Sequence, residues 1–308
     1  MTNKPNGLRI KLTRSLAKIL IHHSFPGCGK LLRNVNKLLG PRPKGPFVTT
    51  TSLGFDVIVD PYNNRGVDTS IYYNGIYEAG TLFTLMQALR KDDIFIDVGA
   101  NIGLMSLTAS QIVGPTGKVY AFEPVPDVFA ILKKNVSINN ANNIFPVQKA
   151  LGSKSEQKTI YEQAHINKGS ATFIKPTSAN VAHHEVMVGT IDDFAKTMGI
   201  TAVRMIKADV EGWELDVLQG AKHLLSENHA PVLCVEYSGS FSPRKKKLID
   251  LYDFIRSVNE YQIFKLKHGK ETISQLVKIT KPADLPQHDN IFCFLPNHVK
   301  EIGARLFN

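Results

Sequence analysis

The chain has 308 residues, 43% of them hydrophobic and 21% charged, and carries a formal net charge of +10. These proportions are ordinary for a folded protein, exclude a disordered or disulfide-dense one, and fit one large domain or a domain with an appendage. The whole positive excess lies in residues 1–50, which hold ten of the 37 basic residues and no acid, the first being Asp56; the neutral remainder gives no charge argument for binding nucleic acid.

Leu8, Leu12, Leu16, Ile19 and Leu20 recur at helical spacing among Arg9, Lys11, Arg14 and Lys18. Leu31, Leu32, Val35, Leu38 and Leu39 repeat the pattern beside Lys30, Arg33 and Lys37. Two basic amphipathic helices are expected, broken at 24–29 and ended by the Gly- and Pro-rich residues 40–46. They either pack on the rest of the protein, the favoured expectation, or touch an anionic membrane surface. No run of about 18 apolar residues is present to cross a membrane, and Lys18 and His22-His23 interrupt any signal-peptide core. Cys28, Cys234 and Cys293, an odd set without Cys-x-x-Cys, read as reduced thiols and place the protein in the cytoplasm, with peripheral membrane contact as an option.

A β-rich run at 47–61 leads through Tyr77-Glu78 to an apolar helix at 81–89. Ile94-Phe95-Ile96-Asp97-Val98 then reads as a buried parallel strand ending near an acid. Gly99 and Gly103 follow in a turn that opens a helix at 102–112; glycine there permits positive φ and close approach of a ligand, and Asn101 tolerates a left-handed conformation. A dinucleotide fingerprint needs Gly-x-Gly-x-x-Gly. Here the spacing is Gly-x-Asn-x-Gly, with Leu104 at the last glycine position, so no pyrophosphate cradle is implied. The shorter form resembles the first motif of Rossmann-like S-adenosylmethionine-dependent methyltransferases, in which Glu123, ending the next strand, would hold the ribose hydroxyls.

Strand and helix then alternate as in a doubly wound α/β sheet, with strands near 94–98, 118–123, 144–150, 203–209, 231–237, 261–267 and 290–295 and helices near 126–138, 213–226 and 244–259. A long insertion at 152–189 contains β-like pieces, and segments of that length are usually functional or mobile. The expected organisation is a helical extension, 1–46, and one domain, 47–308, whose lead-in spans 47–92.

Methyl transfer to an alcohol needs a positioned acceptor and a base, and doubly wound sheets place such groups at strand carboxyl ends. Lys207 and Asp209, two residues apart in an apolar strand, share one face with Met205; they form either a structural pair or an acceptor-binding lysine beside a base. Glu236 ends the neighbouring strand. Trp213 is either a sugar-stacking platform or first-turn packing. Asp209 and Glu236 alone are a weak cation signal, and His183-His184-Glu185 lacks ligand spacing, so no metal is expected. Asp192 is expected to cap a helix starting at Asp193, and Asn290 to mark a turn before the last strand.

Asp97-Val98-Gly99-Ala100-Asn101-Ile102-Gly103, Phe122-Glu123-Pro124, Thr190-Ile191-Asp192-Asp193 and Lys207-Ala208-Asp209-Val210-Glu211-Gly212-Trp213-Glu214, followed by Val217-Leu218-Gln219-Gly220-Ala221, resemble the FkbM-type methyltransferases. Gly75-Ile76-Tyr77-Glu78 resembles the lead-in of that family, and the likeness runs from about Gly75 to Phe294. The resemblance implies a class I methyltransferase fold with a mostly parallel seven-stranded sheet and S-adenosylmethionine as cofactor. It implies cofactor contacts from Glu78, Asp97, Gly99, Ala100, Asn101, Gly103, Glu123, Pro124, Ala150 and Asp209. It further implies catalysis by Asp209, Glu236 and Lys207, and substrate contacts from Glu211, Trp213 and His184. The expected reaction is O-methylation of a sugar, glycan or polyketide-like product. Methylation of RNA or protein, and a non-catalytic scaffold, are the alternatives; Asp209-Val210-Glu211-Gly212 stands where base N-methyltransferases carry Asn/Asp-Pro-Pro-aromatic.

Overall fold

The computed structural model describes residues 8–22, 28–39, 45–64, 66–162, 171–175, 181–238, 248–303 and 306–307. Helices α1 (Leu8–His22) and α2 (Cys28–Leu39) precede a hairpin of β1 (Phe47–Thr50) and β2 (Asp56–Val59), then α3 (Val67–Asn74) and α4 (Ala79–Ala88). Next come β3 (Ile94–Val98), α5 (Leu104–Val113), β4 (Lys118–Phe122), α6 (Pro126–Ile138) and β5 (Ile144–Val147). The insertion holds β6 (Ala150–Leu151), β7 (Glu156–Glu162), β8 (Ala171–Thr172) and β9 (His183–Gly189). Helix α7 (Ile191–Thr197) returns the chain to β10 (Met205–Ala208), α8 (Glu214–Gln219), α9 (Lys222–Ser226) and β11 (Val232–Ser238). The chain continues through α10 (Leu248–Val258), β12 (Gln262–Leu266), β13 (Leu276–Lys278), β14 (His288–Phe294) and α11 (Pro296–Ile302).

The main sheet has the order β13-β12-β14-β11-β10-β3-β4-β5. Strands β5, β4, β3, β10 and β11 run parallel, and β14 is antiparallel to both β11 and β12. The chain leaves β3 towards β4 and β5, then returns to β10 on the other flank. That reversal is a topological switch point, where open α/β sheets bind ligands. Successive residues feed opposite cores: Phe95, Met205, Val232 and Phe292 pack on one face, Ile96, Ile206, Leu233 and Ile291 on the other. A sheet covered on both faces explains the near-continuous apolar runs in its strands.

The structure corrects several expectations. The sheet has eight strands rather than seven, because the three-residue β13 adds an edge. The strand expected at 144–150 is two strands, β5 and β6, and β6 pairs with β9 in a separate four-stranded sheet of the insertion. The helix expected at 213–226 breaks at Gly220, where a Cβ would lie 2.0 Å from Gly152 O, so α8 is seated on the start of the insertion. Thr190, not Asp192, caps α7, accepting the Asp193 N–H at 3.0 Å. Asp192 instead caps α9, accepting the N–H groups of His223 at 2.8 Å and Leu224 at 3.1 Å. The breaks expected at 24–29 and 40–46 fall mostly outside the described residues, as does the start of the helix expected at 244–259.

Ile10, Thr13, Ala17 and Ile21 of α1 are buried at three- and four-residue spacing, and Leu32 of α2 joins Ala17, Ile21 and Ala79 in one cluster. The Arg14 guanidinium donates to the carbonyls of Thr50 at 2.8 Å, Ile71 at 3.2 Å and Tyr72 at 3.1 Å, and to Thr49 Oγ1 at 2.8 Å. The two helices thus sit on the lead-in. Among the described residues no helix is long and apolar enough to cross a membrane.

Candidate active site

The turn between β3 and α5 is built from backbone. Gly99, Asn101 and Gly103 have φ of 76°, 51° and 94°. Gly99 and Ala100 N–H both donate to Phe122 O, at 3.0 and 2.9 Å, stapling the turn to the end of β4. A Cβ on Gly99 would lie 2.0 Å from Asp209 O, so only glycine lets the ends of β3 and β10 meet. Buried Asn135 of α6 donates to Ile102 O and accepts from Ile58 N, both at 2.8 Å, tying the lead-in hairpin to this turn.

Glu123 follows β4 and is buried. One carboxylate oxygen accepts Asn101 N–H at 2.9 Å and the other Val125 N–H at 3.0 Å. Each oxygen keeps a lone pair for a further donor. Burial, against these two bonds, pushes its carboxyl up to about 7. A cavity opens beside it, lined among others by Gly99, Ala100, Asn101, Met105, Phe122, Glu123, Pro124, Ala150 and Leu151, and on the other side by Tyr77, Glu78, Lys207, Asp209, Glu211 and Glu236.

Sheet register layers the charges on one face. Lys207 pairs in register with Asp97 on one side and Cys234 on the other, and Glu236 pairs with Asn290 one two-residue step further along. Lys207 Nζ lies 3.7 Å from Asp97, 3.4 Å from Asp209 and 3.4 Å from Gly99 O. Burial opposes its charge, but Asp209 and Asp97 outweigh burial and hold Lys207 above the usual lysine range. Burial likewise opposes ionisation of Asp209, yet Lys207 and Lys270 hold it below the usual carboxylate range. Glu236 lines the same cavity as Asp209 and lies within reach of its charge. Burial, then the Asp209 charge, pushes Glu236 up to about 9.

Glu78 closes this layer from the start of α4. Its backbone is left-handed, φ 48°, a conformation that costs a residue other than glycine on the order of 1–2 kcal/mol. Its side chain compensates: one oxygen lies 2.8 Å from Lys270 Nζ and the other accepts from Asn290 Nδ2 at 3.0 Å. Lys270 also lies 3.2 Å from Glu236. The turn carrying Lys270 is clamped onto α4, since Gly80 N–H donates to Lys270 O at 2.9 Å. Glu214 of α8 shapes the far rim, accepting the N–H groups of Val210 at 3.0 Å and Gly212 at 3.1 Å and holding Glu211 at φ 53°.

The cavity thus brings together Glu78, Gly99, Ala100, Asn101, Glu123, Pro124, Ala150, Lys207, Asp209, Glu211 and Glu236. Four expected site residues are placed otherwise. Asp97 is fully buried beneath the floor, accepting from Ser106 Oγ at 2.6 Å, and supports Lys207. Gly103 lies at the start of α5, where it sets the turn. Trp213 is 5% exposed, its ring 4.9 Å from Phe173 and under Lys158 Nζ at 4.8 Å, so it packs the insertion onto α8 and presents no stacking face. His184 lies on β9, 2.6 Å from Glu162, and is not among the residues that line the cavity. Asn290 is inside β14 rather than in a turn, and it is buried. Sequence reasoning missed Lys270, whose flanking Lys267, His268 and Gly269 read as an ordinary exposed polar turn. It also missed Asn135, which looks like one more polar residue of α6. Among the described residues no group of three or more His, Cys, Asp or Glu is arranged to hold a metal.

The residues present fit S-adenosylmethionine: Glu123 has free lone pairs for ribose hydroxyls, the turn at Gly99, Ala100 and Asn101 lines the cavity beside it, and Met105, Phe122, Ala150 and Leu151 offer an apolar wall. Fold and cavity together have the form of a class I, Rossmann-like methyltransferase. Residues 97–282 match the methyltransferase FkbM domain. The chain is 30% identical over 156 residues to the hexuronic acid methyltransferase AglP of Haloferax volcanii, covering 48% of this chain and 58% of that protein. It is 28% identical over 160 residues to the 31-O-demethyl-FK506 methyltransferase FkbM of Streptomyces tacrolimicus, covering 44% and 61%. The chain therefore aligns with about three-fifths of the length of these two relatives. A solved structure, the methyltransferase FkbM of Methylobacillus flagellatus, covers 93% of this chain and 59% of its own with 19% identity and a TM-score of 0.42. The chain belongs to the FkbM family of methyltransferases.

Proposed function

We propose that this protein methylates a hydroxyl oxygen of a sugar, a glycan or a glycosylated or polyketide-like product. The observation that carries the reading is Asp209, an ionised carboxylate at the carboxyl end of the central strand β10, lining the same cavity as the cofactor residues and flanked by Lys207 and Glu236. The relatives named for hexuronic acid and for 31-O-demethyl-FK506 support oxygen-rich acceptors of this kind.

S-adenosylmethionine, when bound, supplies a methyl group already activated on a sulfonium. Asp209 receives a hydrogen bond from the acceptor hydroxyl and orients its oxygen for displacement. Lys207 and Lys270 keep Asp209 ionised, and their positive charge offsets the negative charge that grows on the acceptor oxygen as its proton moves to the carboxylate. Glu236, pushed up to about 9 and so protonated near neutral pH, stands beside Asp209 without adding a second negative charge. Glu78 and Glu211 line the acceptor side and offer hydrogen-bond acceptors to further hydroxyls.

The test is turnover with radiolabelled methyl donor against separate carbohydrate and RNA pools, with Asp209→Asn as control. Label in the carbohydrate pool that disappears with Asp209→Asn is expected. Label confined to RNA overturns the acceptor assignment, and undiminished turnover by Asp209→Asn overturns the role given to that carboxylate.

A further inference from the structure

Helix α1 is apolar on both sides, and among the described residues the fold buries one of them. Ile10, Ala17 and Ile21 face inward. Leu12, Leu16 and Ile19 fall on another stripe at i, i+4, i+7 and are 51%, 38% and 58% exposed. Leu31 and Leu38, seven apart on α2, are 42% and 82% exposed. Among the described residues, five of the eleven exposed large apolar side chains lie on these two helices. Exposed Lys11 and Lys18 run beside the α1 stripe, exposed Lys30 lies on α2, and no acid occurs before Asp56.

We propose that the outer face of α1 and α2 is a docking surface for a bilayer rich in anionic phospholipid. Charge and apolarity together select that occupant. A second copy of the chain would set one acid-free basic face against another, at a Coulomb cost. A nucleic acid would neutralise the lysines but leave the Leu12, Leu16 and Ile19 stripe in water. An interfacial bilayer satisfies both: the leucines enter the headgroup–acyl boundary while lysine stems lie along it with their ammonium groups at the phosphates. The face is also preformed. The Arg14 bonds to Thr49, Thr50, Ile71 and Tyr72 and the buried Ala17 fix the helix on the lead-in, so docking requires no release of α1. This inference stands independently of which acceptor the active site takes.

The experiment is co-sedimentation of the full chain with phosphatidylcholine vesicles, with and without phosphatidylglycerol. Binding is expected only with phosphatidylglycerol, and it should be released as the Debye length shrinks from about 10 Å at about 0.1 M salt to about 3 Å at about 1 M. Replacing Leu12, Leu16 and Ile19 together by Gln should lower partitioning at least about tenfold, each side chain losing its apolar transfer. Lys11→Gln, Lys18→Gln and Lys30→Gln should each cost roughly fivefold. These side chains are exposed, so circular dichroism and melting should match the parent; if the apolar triple variant misfolds, the single lysine variants carry the test. A chain that stays in the supernatant at low salt overturns the proposal. So does equal binding to neutral vesicles, or a folded apolar variant that binds as well as the parent. A sedimentation-equilibrium dimer that the apolar variant converts to monomer assigns the stripe to a second copy instead. An RNA mobility shift that depends on the lysines alone, without vesicle binding, assigns the face to nucleic acid.

Discussion

The cofactor side and the acceptor side of the cavity are made in different ways. The cofactor side is backbone geometry within one short stretch: Gly99, Asn101 and Gly103 at positive φ, and Glu123 receiving two N–H groups from the turns on either side of it. The acceptor side is a charge network drawn from four distant places: Glu78 at a helix start, Lys207 and Asp209 along and just after one strand, Glu236 on the next and Lys270 on a turn beyond β12. A ligand common to many proteins can be held by a fixed loop. A chemical step needs groups with displaced proton affinities, and burial together with neighbouring charges displaces them.

This contrast predicts that the two sides separate in kinetics. Asp209→Asn should lower kcat by about 10²–10⁴, the usual worth of a positioned base, with a far smaller change in S-adenosylhomocysteine affinity by calorimetry. Comparable losses in both would merge the two sides into one. Glu123→Ala should do the reverse, weakening S-adenosylhomocysteine binding by about tenfold or more, as loss of a charge-assisted hydrogen bond worth roughly 1.5–3 kcal/mol requires, while the acceptor KM holds. An unchanged dissociation constant would remove Glu123 from the ribose site.

Glu236 offers a pH test. Its carboxyl titrates near 9 in the folded protein against an ordinary value of 4.5, so the folded state binds the extra proton throughout that window. Stability therefore falls as pH rises from about 4.5 towards 9. Glu236→Gln should flatten the decline in melting temperature over this range and remove the alkaline limb of the kcat profile; an unaltered slope would show that Glu236 binds no extra proton in the folded state. The smallest effect belongs to His184→Ala. That half-buried group pairs with Glu162 on the insertion sheet, so stability should move by no more than about 0.5 kcal/mol and the acceptor KM should not move. A raised KM would bring His184 into the acceptor site.

The same contrast explains what could be read in the sequence. Asp97 to Gly103 and Glu123 were legible because turn chemistry is local: glycine spacing, one asparagine and one strand-end acid specify the geometry in contiguous letters. Lys207 and Asp209 were legible because charges in an apolar strand need partners. Lys270 and the buried role of Asn290 were not, since their meaning depends on register between β11 and β14 and on the clamp between Gly80 and the 269–272 turn. Trp213 was ambiguous for a related reason. Whether an aromatic ring faces a ligand or Phe173 is decided by where a distant insertion folds, which periodicity does not carry.

The docking of α1 has a consequence in time. Arg14 is held by Thr50, 36 residues later, and by Ile71 and Tyr72, 57 and 58 residues later. On a ribosome adding about 5–20 residues per second, the helix precedes its last acceptor by roughly 3–12 s. Helical turns form in well under a millisecond. For that interval the growing chain carries a basic amphipathic segment with neither of its apolar stripes covered, and the inner one is fully seated only once Tyr72, Tyr73 and Ala79 have been made.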